Sequence, residues 1–561
     1  MKTVLYNGKI YVEKGRYAQA VLIEDGIIQA VGTDAEVLAA AEAGCGDFAE
    51  RIDCEGKTVI PGLNDTHIHL MQVGEGLRKA PIGKARSVQH LIEICRGFAE
   101  SYPDRVSRCL CAAGWNQDLF EGEKRIPDRH DLDRISTEIP VVLERVCEHI
   151  LSVNTKALEV LGMGAAAEEI EGGEIYRETD GFPSGIFTEN AAFDVKRRIY
   201  QPTLEEQRDF LLEGMKYAVS RGLTTVQSNE VGVAPAEPDV LFDMIRGIYE
   251  SGEGLLRFHH QVCFHDPNEF ETYLKEGEFS RNSEAAGGYG PSCGDGEGYG
   301  KDSWLTLGPL KLFKDGSLGG RTALMTNGYV GLPDVKGVDC MTAEDMKEFC
   351  RLAKEYGVQI VTHSIGDEAI RQVIAAYGKY GFVDGENKLR HSVNHCQITD
   401  QEILDTIVEK DILVQAQPIF IDYDRKILEP LCGPELAATS YNFGTLLRRG
   451  AHLSYGTDSP VEDCNPFPNI YMAVTRKGAD GMPEGGFYPK ECVDVETAID
   501  AYTAGSAYNE FKEGVKGRIK PGYYADLVVL DRDIFTCGPQ EIKDILPVLT
   551  MVGGKIVYIK S

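Results

Sequence analysis

The residues whose types and spacing suggest chemistry begin with PGLNDTHIHL, Pro61 to Leu70, where two histidines stand one residue apart just beyond a Pro-Gly turn. Alternate side chains of a strand share a face, so His67 and His69 point the same way and can grip one ion if other ligands join them. Three more histidine or carboxylate positions follow in strand-like contexts: His363 in IVTHSIG, His395 in SVNHCQI and Asp458 in HLSYGTDSP. Lys311, in PLKLFKDG, is a sixth. A lone histidine at a strand end is more often a packed structural residue than a ligand, and His90, His130 and His452 are given that default. Four histidines and a carboxylate at corresponding ends of separate strands read as a metal-ligand set.

Lysine is the odd member, because an ammonium has no lone pair to give. Either Lys311 is carbamylated by carbon dioxide into an anionic bridge between two metals, or it stays cationic and pairs with Asp315. Chemistry alone leaves both open.

Elements must bring these positions together. Alternating apolar strands and amphipathic helices predict a parallel α/β sheet: helix TAEDMKEFCRLAKEYG, strand VQIVTHSIG, helix DEAIRQVIAAYGKYG, strand SVNHCQI, helix TDQEILDTIVEKD, strand ILVQAQP. From Pro61 onward ten strands are countable, whereas an eight-stranded barrel takes eight. Treating residues 72–200 as an insertion after the first barrel strand removes RCLCAAGWN and PVVLERVC and restores eight. EGGEIYRETDGFPSGIF, inside that span, reads as a hairpin-like stretch. The expectation is a (β/α)8 TIM-type barrel over 61–509, interrupted by this subdomain, with the ligand positions on the C-terminal ends of strands 1, 4, 5, 6 and 8. Short strands at both termini, residues 1–60 and 510–561, are expected to form one small composite β-sandwich, since neither piece alone has strands enough to bury a face. Residues 277–303 hold eight glycines in 27 positions and cannot build a core; they read as a loop, passive or an active-site flap.

Composition narrows the field. A formal net charge of −30 argues against a nucleic-acid or anionic-membrane binder, which needs clustered Lys and Arg. With 43% hydrophobic and 26% charged residues the chain has the make-up of a folded globular protein. Fifteen cysteines, an odd number without a CxxC pair, suit reduced, buried thiols; Cys109 and Cys111 are the only closely spaced two. No apolar leader opens the sequence and no segment approaches the length of a membrane span, so a cytoplasmic protein acting on a small molecule is expected, a homodimer being plausible.

HIH after PGLNDT, THSIGD, NHCQ and GTDSP together resemble the amidohydrolase superfamily. AAGWNQDLF, LERVCEHILSVNTKAL, GGEIYRETDGFPSGIFTEN, LKLFKDGSLGGRTA and RHSVNH narrow the resemblance to amidohydrolase family 3, whose members include N-substituted formamide deformylases. The similarity covers nearly the whole chain, with 277–303 as the main departure. It implies a β/α barrel carrying one or two divalent metals, commonly zinc. His67 and His69 would hold one, His363 and His395 a second, with carbamylated Lys311 bridging and Asp458 binding both metal and water. It favours Lys311 over Lys314 as the modified lysine, and it implies hydrolysis of a non-peptide C–N bond with Asp458 as general acid and base. Trp115, His149 and His391 are candidate substrate contacts; Asp315 and Arg321 are expected to anchor the loop after strand 4, and Glu189 to be a solvated carboxylate. Deamination of a cyclic amidine is the rival chemistry, disfavoured because such deaminases place a glutamate three residues after the strand 5 histidine, here Gly366. A scaffold that has lost its chemistry is a third reading, disfavoured because all six ligand positions are filled by competent residues.

Overall fold

The structure, a computed structural model, describes residues 2–43, 50–146, 149–277, 279 and 304–560. Its centre is a parallel eight-stranded sheet of β1 (Leu63–Ile68), β2 (Leu223–Val231), β3 (Arg257–Cys263), β4 (Leu305–Phe313), β5 (Ile360–Ser364), β6 (Ser392–His395), β7 (Leu413–Ala416) and β8 (Leu453–Tyr455). Neighbours in this sheet are neighbours in sequence, from β8 back to β1. The two ends approach each other: Thr66 Oγ1 donates to the Tyr455 carbonyl at 3.1 Å, and the Asp458 amide to the His67 carbonyl at 2.7 Å. The sheet is thus a nearly closed TIM-type barrel. Its strands read as continuous buried runs, as expected where helices cover the outside and side chains fill the inside.

Both termini supply strands to two further sheets. Ile27–Gly32, Ala20–Glu24, Lys2–Tyr6 and Glu50–Asp53 form one of four strands. The other, of six, runs Lys555–Ile559, Pro547–Val552, Leu527–Leu530, Thr58–Pro61, Lys9–Glu13 and Arg16–Ala18, so three strands from each end of the chain share it. Leu5, Val21, Ile23 and Ile28 of the first sheet meet Ile10, Val59, Leu527 and Met551 of the second in one apolar core. Thr58–Pro61 passes directly into β1, which ties this sandwich to the strand bearing His67.

The chain divides into two compact units, Met1–Leu70 with Met215–Ser561, and Met71–Gly214. The sequence pattern places the insertion at about 72–200; the second compact unit spans Met71–Gly214. Within it, Leu110–Trp115 and Val141–Arg145 pair in parallel, and Gly173–Arg177 forms an antiparallel pair with Pro183–Thr188, all in a separate six-stranded sheet. These strands account for the excess in the count of ten. Most of the glycine-rich stretch, residue 278 and residues 280–303, lies outside the described residues, and so does the flap reading placed on it.

Candidate metal centre

Parallel register places the six candidate ligands at one end of the barrel. Lys311 on β4 is aligned with Cys263 on β3 and Val361 on β5; His363 is aligned with Phe313 and Asn394; Ser364 is aligned with His395. His67 is the fifth residue of β1, and His69 follows its last. Asp458 lies three residues beyond β8, on a segment drawn against β1 by its amide bond to His67.

The side chains converge. His67 Nε2 is 2.9 Å and His69 Nε2 3.3 Å from Asp458 Oδ1, and the ligand atoms of these three residues all lie within 4.8 Å of one another. Ring centroids continue the cluster: His67 to His69 at 5.2 Å, His67 to His395 at 5.4 Å, His395 to His363 at 4.4 Å. Lys311 Nζ sits 3.5 Å from His67 Nε2 and 4.8 Å from the centre of the Phe313 ring.

Hydrogen bonds select the tautomers. His395 Nδ1–H donates to Gln417 Oε1 at 2.9 Å, Gln417 Nε2 to Asn394 Oδ1 at 3.1 Å, and Asn394 Nδ2 to His395 Nε2 at 2.9 Å, a closed ring of three side chains. The lone pair of His395 is therefore on Nε2. His363 Nε2–H donates to the Gly316 carbonyl at 3.1 Å, which leaves the lone pair on Nδ1. For His363 the outer contact leaves Nδ1 to offer, whereas His395 Nε2 accepts from Asn394 and must give up that bond before its lone pair can reach an ion.

Burial decides the charges. It holds His67 neutral, with a pKa pulled down to about 3, and the nearby Lys311 ammonium acts in the same direction. Burial likewise takes His363 to about 4 and puts His395 well below the usual range. For Asp458 burial opposes ionisation, yet the His67 and His69 rings facing it hold the carboxyl well below the ordinary carboxylate range. Lys311, fully enclosed, is lowered by burial to about 8, with Asp458 pulling the other way.

The donor set fits a divalent cation. It combines neutral imidazoles with an ionised carboxylate, and the buried Asp458 Oδ1, on which the Nε2 atoms of His67 and His69 converge, has no hydrogen-bond partner among the described residues. Two of the candidate ligands are held in backbone conformations that side chains disfavour, His395 at φ 72° and Asp458 at φ 58°. Non-glycine residues in that region cluster at functional sites, where the surrounding structure must hold them.

The lysine question is answered in part by its neighbours. Asp315 does not pair with Lys311. Its Oδ1 accepts from the Ile365 amide at 3.0 Å, and its Oδ2 from those of Gly366 and Leu324 at 2.8 Å each, which clamps the loop after β4 to the end of β5. Lys314 is also committed elsewhere, to Asp339 at 2.5 Å and the Met341 carbonyl at 2.6 Å.

Two of the three expected substrate contacts are fully buried. His391 lies just before β6, at the opposite end of the barrel from His395. Its Nδ1 accepts from the Ile360 amide at 3.0 Å, its Nε2 donates to the Gly381 carbonyl at 3.3 Å, and the ring stacks on Tyr377 at 5.0 Å. A side chain with both nitrogens bound to backbone and no exposed surface is a fastener. Trp115 is wholly enclosed and belongs, with Ile82, Leu110, Phe120 and Leu143, to the apolar core of the Met71–Gly214 unit, as packing of an indole requires. His149 keeps a half-exposed ring whose Nδ1 is 2.7 Å from Glu189 Oε2, so Glu189 is paired.

Several residues of the site are not of a ligand type or spacing. Gln417 and Asn394 orient His395. Phe420 lies nearly parallel to the His395 ring, 5.9 Å away. Asp65 accepts from the His67 amide at 3.1 Å and from Thr457 Oγ1 at 2.5 Å, linking the two segments that carry His67 and Asp458. Its position two residues before His67, on the same face of the strand, was the available clue. Gly456 is required beside it, since a Cβ there would come within 2.7 Å of the His67 amide nitrogen and 2.8 Å of Asp65 Oδ1.

Comparison with known proteins agrees with this geometry. The chain is 28% identical over 564 residues to the putative amidohydrolase YtcJ of Bacillus subtilis, covering all of both proteins. It is 25% identical over 557 residues to the N-substituted formamide deformylase of Arthrobacter pascens, covering 96% of this chain and 95% of that one. An uncharacterised metal-dependent hydrolase from Pyrococcus furiosus superposes with a TM-score of 0.76 at 25% identity, over 96% of this chain and 100% of that one. The description of the amidohydrolase family matches residues 50–558. This chain, a hydrolase of carbon–nitrogen bonds, belongs to the amidohydrolase family.

Proposed function

We propose that the protein hydrolyses a non-peptide amide of a small organic molecule, an N-substituted formamide or N-acyl compound, with Asp458 as the proton-transfer group. The observation that carries this reading is the convergence of His67 Nε2 and His69 Nε2 on Asp458 Oδ1, beside a buried lysine amine. The similarity to a protein named as a formamide deformylase supports the substrate class.

His67, His69 and Asp458 would hold one divalent ion and His363 and His395 a second, and nitrogen and oxygen donors of this kind suit zinc. A bound ion of this type lowers the pKa of water from 15.7 toward roughly 7 and polarises a carbonyl oxygen. The remaining work falls to the chain. An ionised Asp458 takes the proton of the attacking water and returns it to the leaving nitrogen, which makes a neutral amine the departing group. Gln417 and Gly316 keep His395 and His363 in single tautomers, and Asp315 fixes the loop above β4. Because none of these steps uses a side-chain nucleophile, no covalent enzyme intermediate forms.

Lys311 as a carbamate completes the proposal. Among the described residues no carboxylate forms an ion pair with Lys311, and burial brings its pKa to about 8, so the neutral amine that reacts with carbon dioxide is accessible near physiological pH. The product is an anion where the unmodified ammonium would repel metal. Lys311→Ala is expected to lose activity that short carboxylic acids with metal partly restore; failure of every such acid contradicts the carbamate. His149, half exposed and paired with Glu189, stays a candidate substrate contact. A cytoplasmic location is supported by the free state of all the described cysteines. Among the described residues no helix is long and apolar enough to cross a membrane.

The test is a panel of N-formyl amides, other N-acyl amides and cyclic amidines, assayed with zinc-loaded protein, with chelator, and after metal is restored. Metal-dependent release of amine from an N-formyl or N-acyl member is expected. Ammonia release confined to the amidines would replace this reading with deamination.

A further inference from the structure

The Met71–Gly214 unit holds a second cluster of reactive groups. Cys109 and Cys111 flank Leu110 at the start of the strand Leu110–Trp115; alternation turns both thiols to one face, where their Sγ atoms are 3.7 Å apart. Cys109 is 5% exposed and Cys111 half-buried. They line a cleft with Lys79, Arg78, Arg105 and Tyr200. Lys79 is itself held by Glu75 at 3.0 Å and, more loosely, by Glu144 at 4.0 Å, so its ammonium is fixed in place.

These surroundings set the two thiols apart from others. The hydrogen-bonding contact with Cys109 and then the Lys79 ammonium hold Cys111 below the usual thiol range, against burial and against the Glu75 and Glu144 carboxylates. Cys95, Cys350 and Cys396, buried without such help, are pushed up to about 12. A partly accessible thiolate beside a cation and a second thiol is the arrangement of a peroxide-reactive cysteine with its resolving partner.

We propose that Cys109 and Cys111 are a redox modification site, oxidised by hydrogen peroxide to an intrastrand disulfide. Cys111 gives up its proton and attacks the peroxide. The O–O bond breaks as an S–O bond forms, and hydroxide leaves carrying the electron pair and takes up that proton as water. Cys109 then attacks the Cys111 sulfenic acid. An S–S bond forms, and the hydroxyl leaves with the Cys109 proton as a second water. The sulfur pair loses two electrons and the peroxide gains them. A dithiol reductant reverses the reaction.

Cleavage after Arg108 and Lys124 releases a peptide, residues 109–124, containing these two cysteines and no other. The metal-loaded full-length protein is treated with hydrogen peroxide, alkylated and digested. The peptide is expected to lose about 2 Da and resist alkylation, and to regain both thiols on reduction. Cys109→Ser should accumulate a dimedone-reactive sulfenic acid at Cys111, while Cys111→Ser should leave Cys109 unmodified. If the wild-type peptide keeps both thiols at a peroxide level that oxidises the exposed Cys340, or if either cysteine bonds to a different one, the proposal is overturned.

Discussion

The two ends of the barrel are built from the same strands and treat their polar groups in opposite ways. At the N-terminal end charges are paired. Arg257 forks onto Asp526 at 2.7 and 3.1 Å; Lys516 meets Glu510 at 2.6 Å and Thr225 Oγ1 at 2.9 Å; Asn64 donates to the same glutamate at 2.6 Å. His391 has both nitrogens satisfied. At the C-terminal end Lys311 is enclosed without a carboxylate ion pair among the described residues, two imidazole Nδ1 atoms lack partners there, and four histidine rings crowd one carboxylate. Burying polar groups unsatisfied costs stability. A fold that pairs its charges at one end and leaves the other short has reserved the second end for something that binds there.

The comparison can be broken most forcefully at Asp458. Asp458→Asn preserves the side chain's shape but removes its basicity, and it should cut hydrolysis by ~100-fold or more with the thermal midpoint unchanged; near-normal turnover would remove Asp458 from proton transfer. His391→Ala, at the other end, should cost about 2 kcal/mol of stability through lost hydrogen bonds and packing while leaving kcat per folded molecule intact. A fall in kcat without a fall in stability would return His391 to the substrate. Gln417→Ala lies between the two cases: by freeing the His395 ring it should weaken metal affinity about tenfold with little change in stability, as read by competition with a chromogenic chelator.

The smallest effect is on pH dependence. Burial lowers His391 to about 4, whereas an unfolded histidine titrates near 6.5. Between those values protons bind the unfolded chain in preference, so stability is present in full above pH ~6.5 and declines as the pH falls toward 4. His259, at about 4, and His260, at about 3, contribute the same sign. His391→Gln should therefore flatten the acid limb of a denaturation profile by at most one proton and leave a slope behind; an unchanged slope would mean that His391 is protonated when folded.

The candidate ligand positions were legible because strand alternation and the barrel's polarity say which residues share an end, whatever the distance in sequence. His67, His69, Lys311, His363, His395 and Asp458 could all be placed by counting strands. Roles that depend on a neighbouring strand were not legible. His391 and His395 sit four residues apart on one segment, and only the strand's boundaries tell that they serve opposite ends. Gln417 reads as one more polar residue after a strand until β7 is placed beside β6. Trp115 follows a glycine in a motif, which says nothing about the core that closes over it. Whether Lys311 pairs with Asp315 was undecidable in sequence because Asp315 is claimed by backbone amides beyond β5 and from its own loop, contacts that no spacing rule supplies.

The central claim, that these side chains form a cation site, is tested most directly by elemental analysis of purified, metal-equilibrated protein, comparing the natural chain with a His67→Ala, His69→Ala double variant and with His391→Ala. The account predicts about one or two divalent ions per chain, a loss of at least one in the double variant, and no loss in His391→Ala. A natural chain that takes up no ion, or a folded double variant that retains as much as the natural chain, would contradict it.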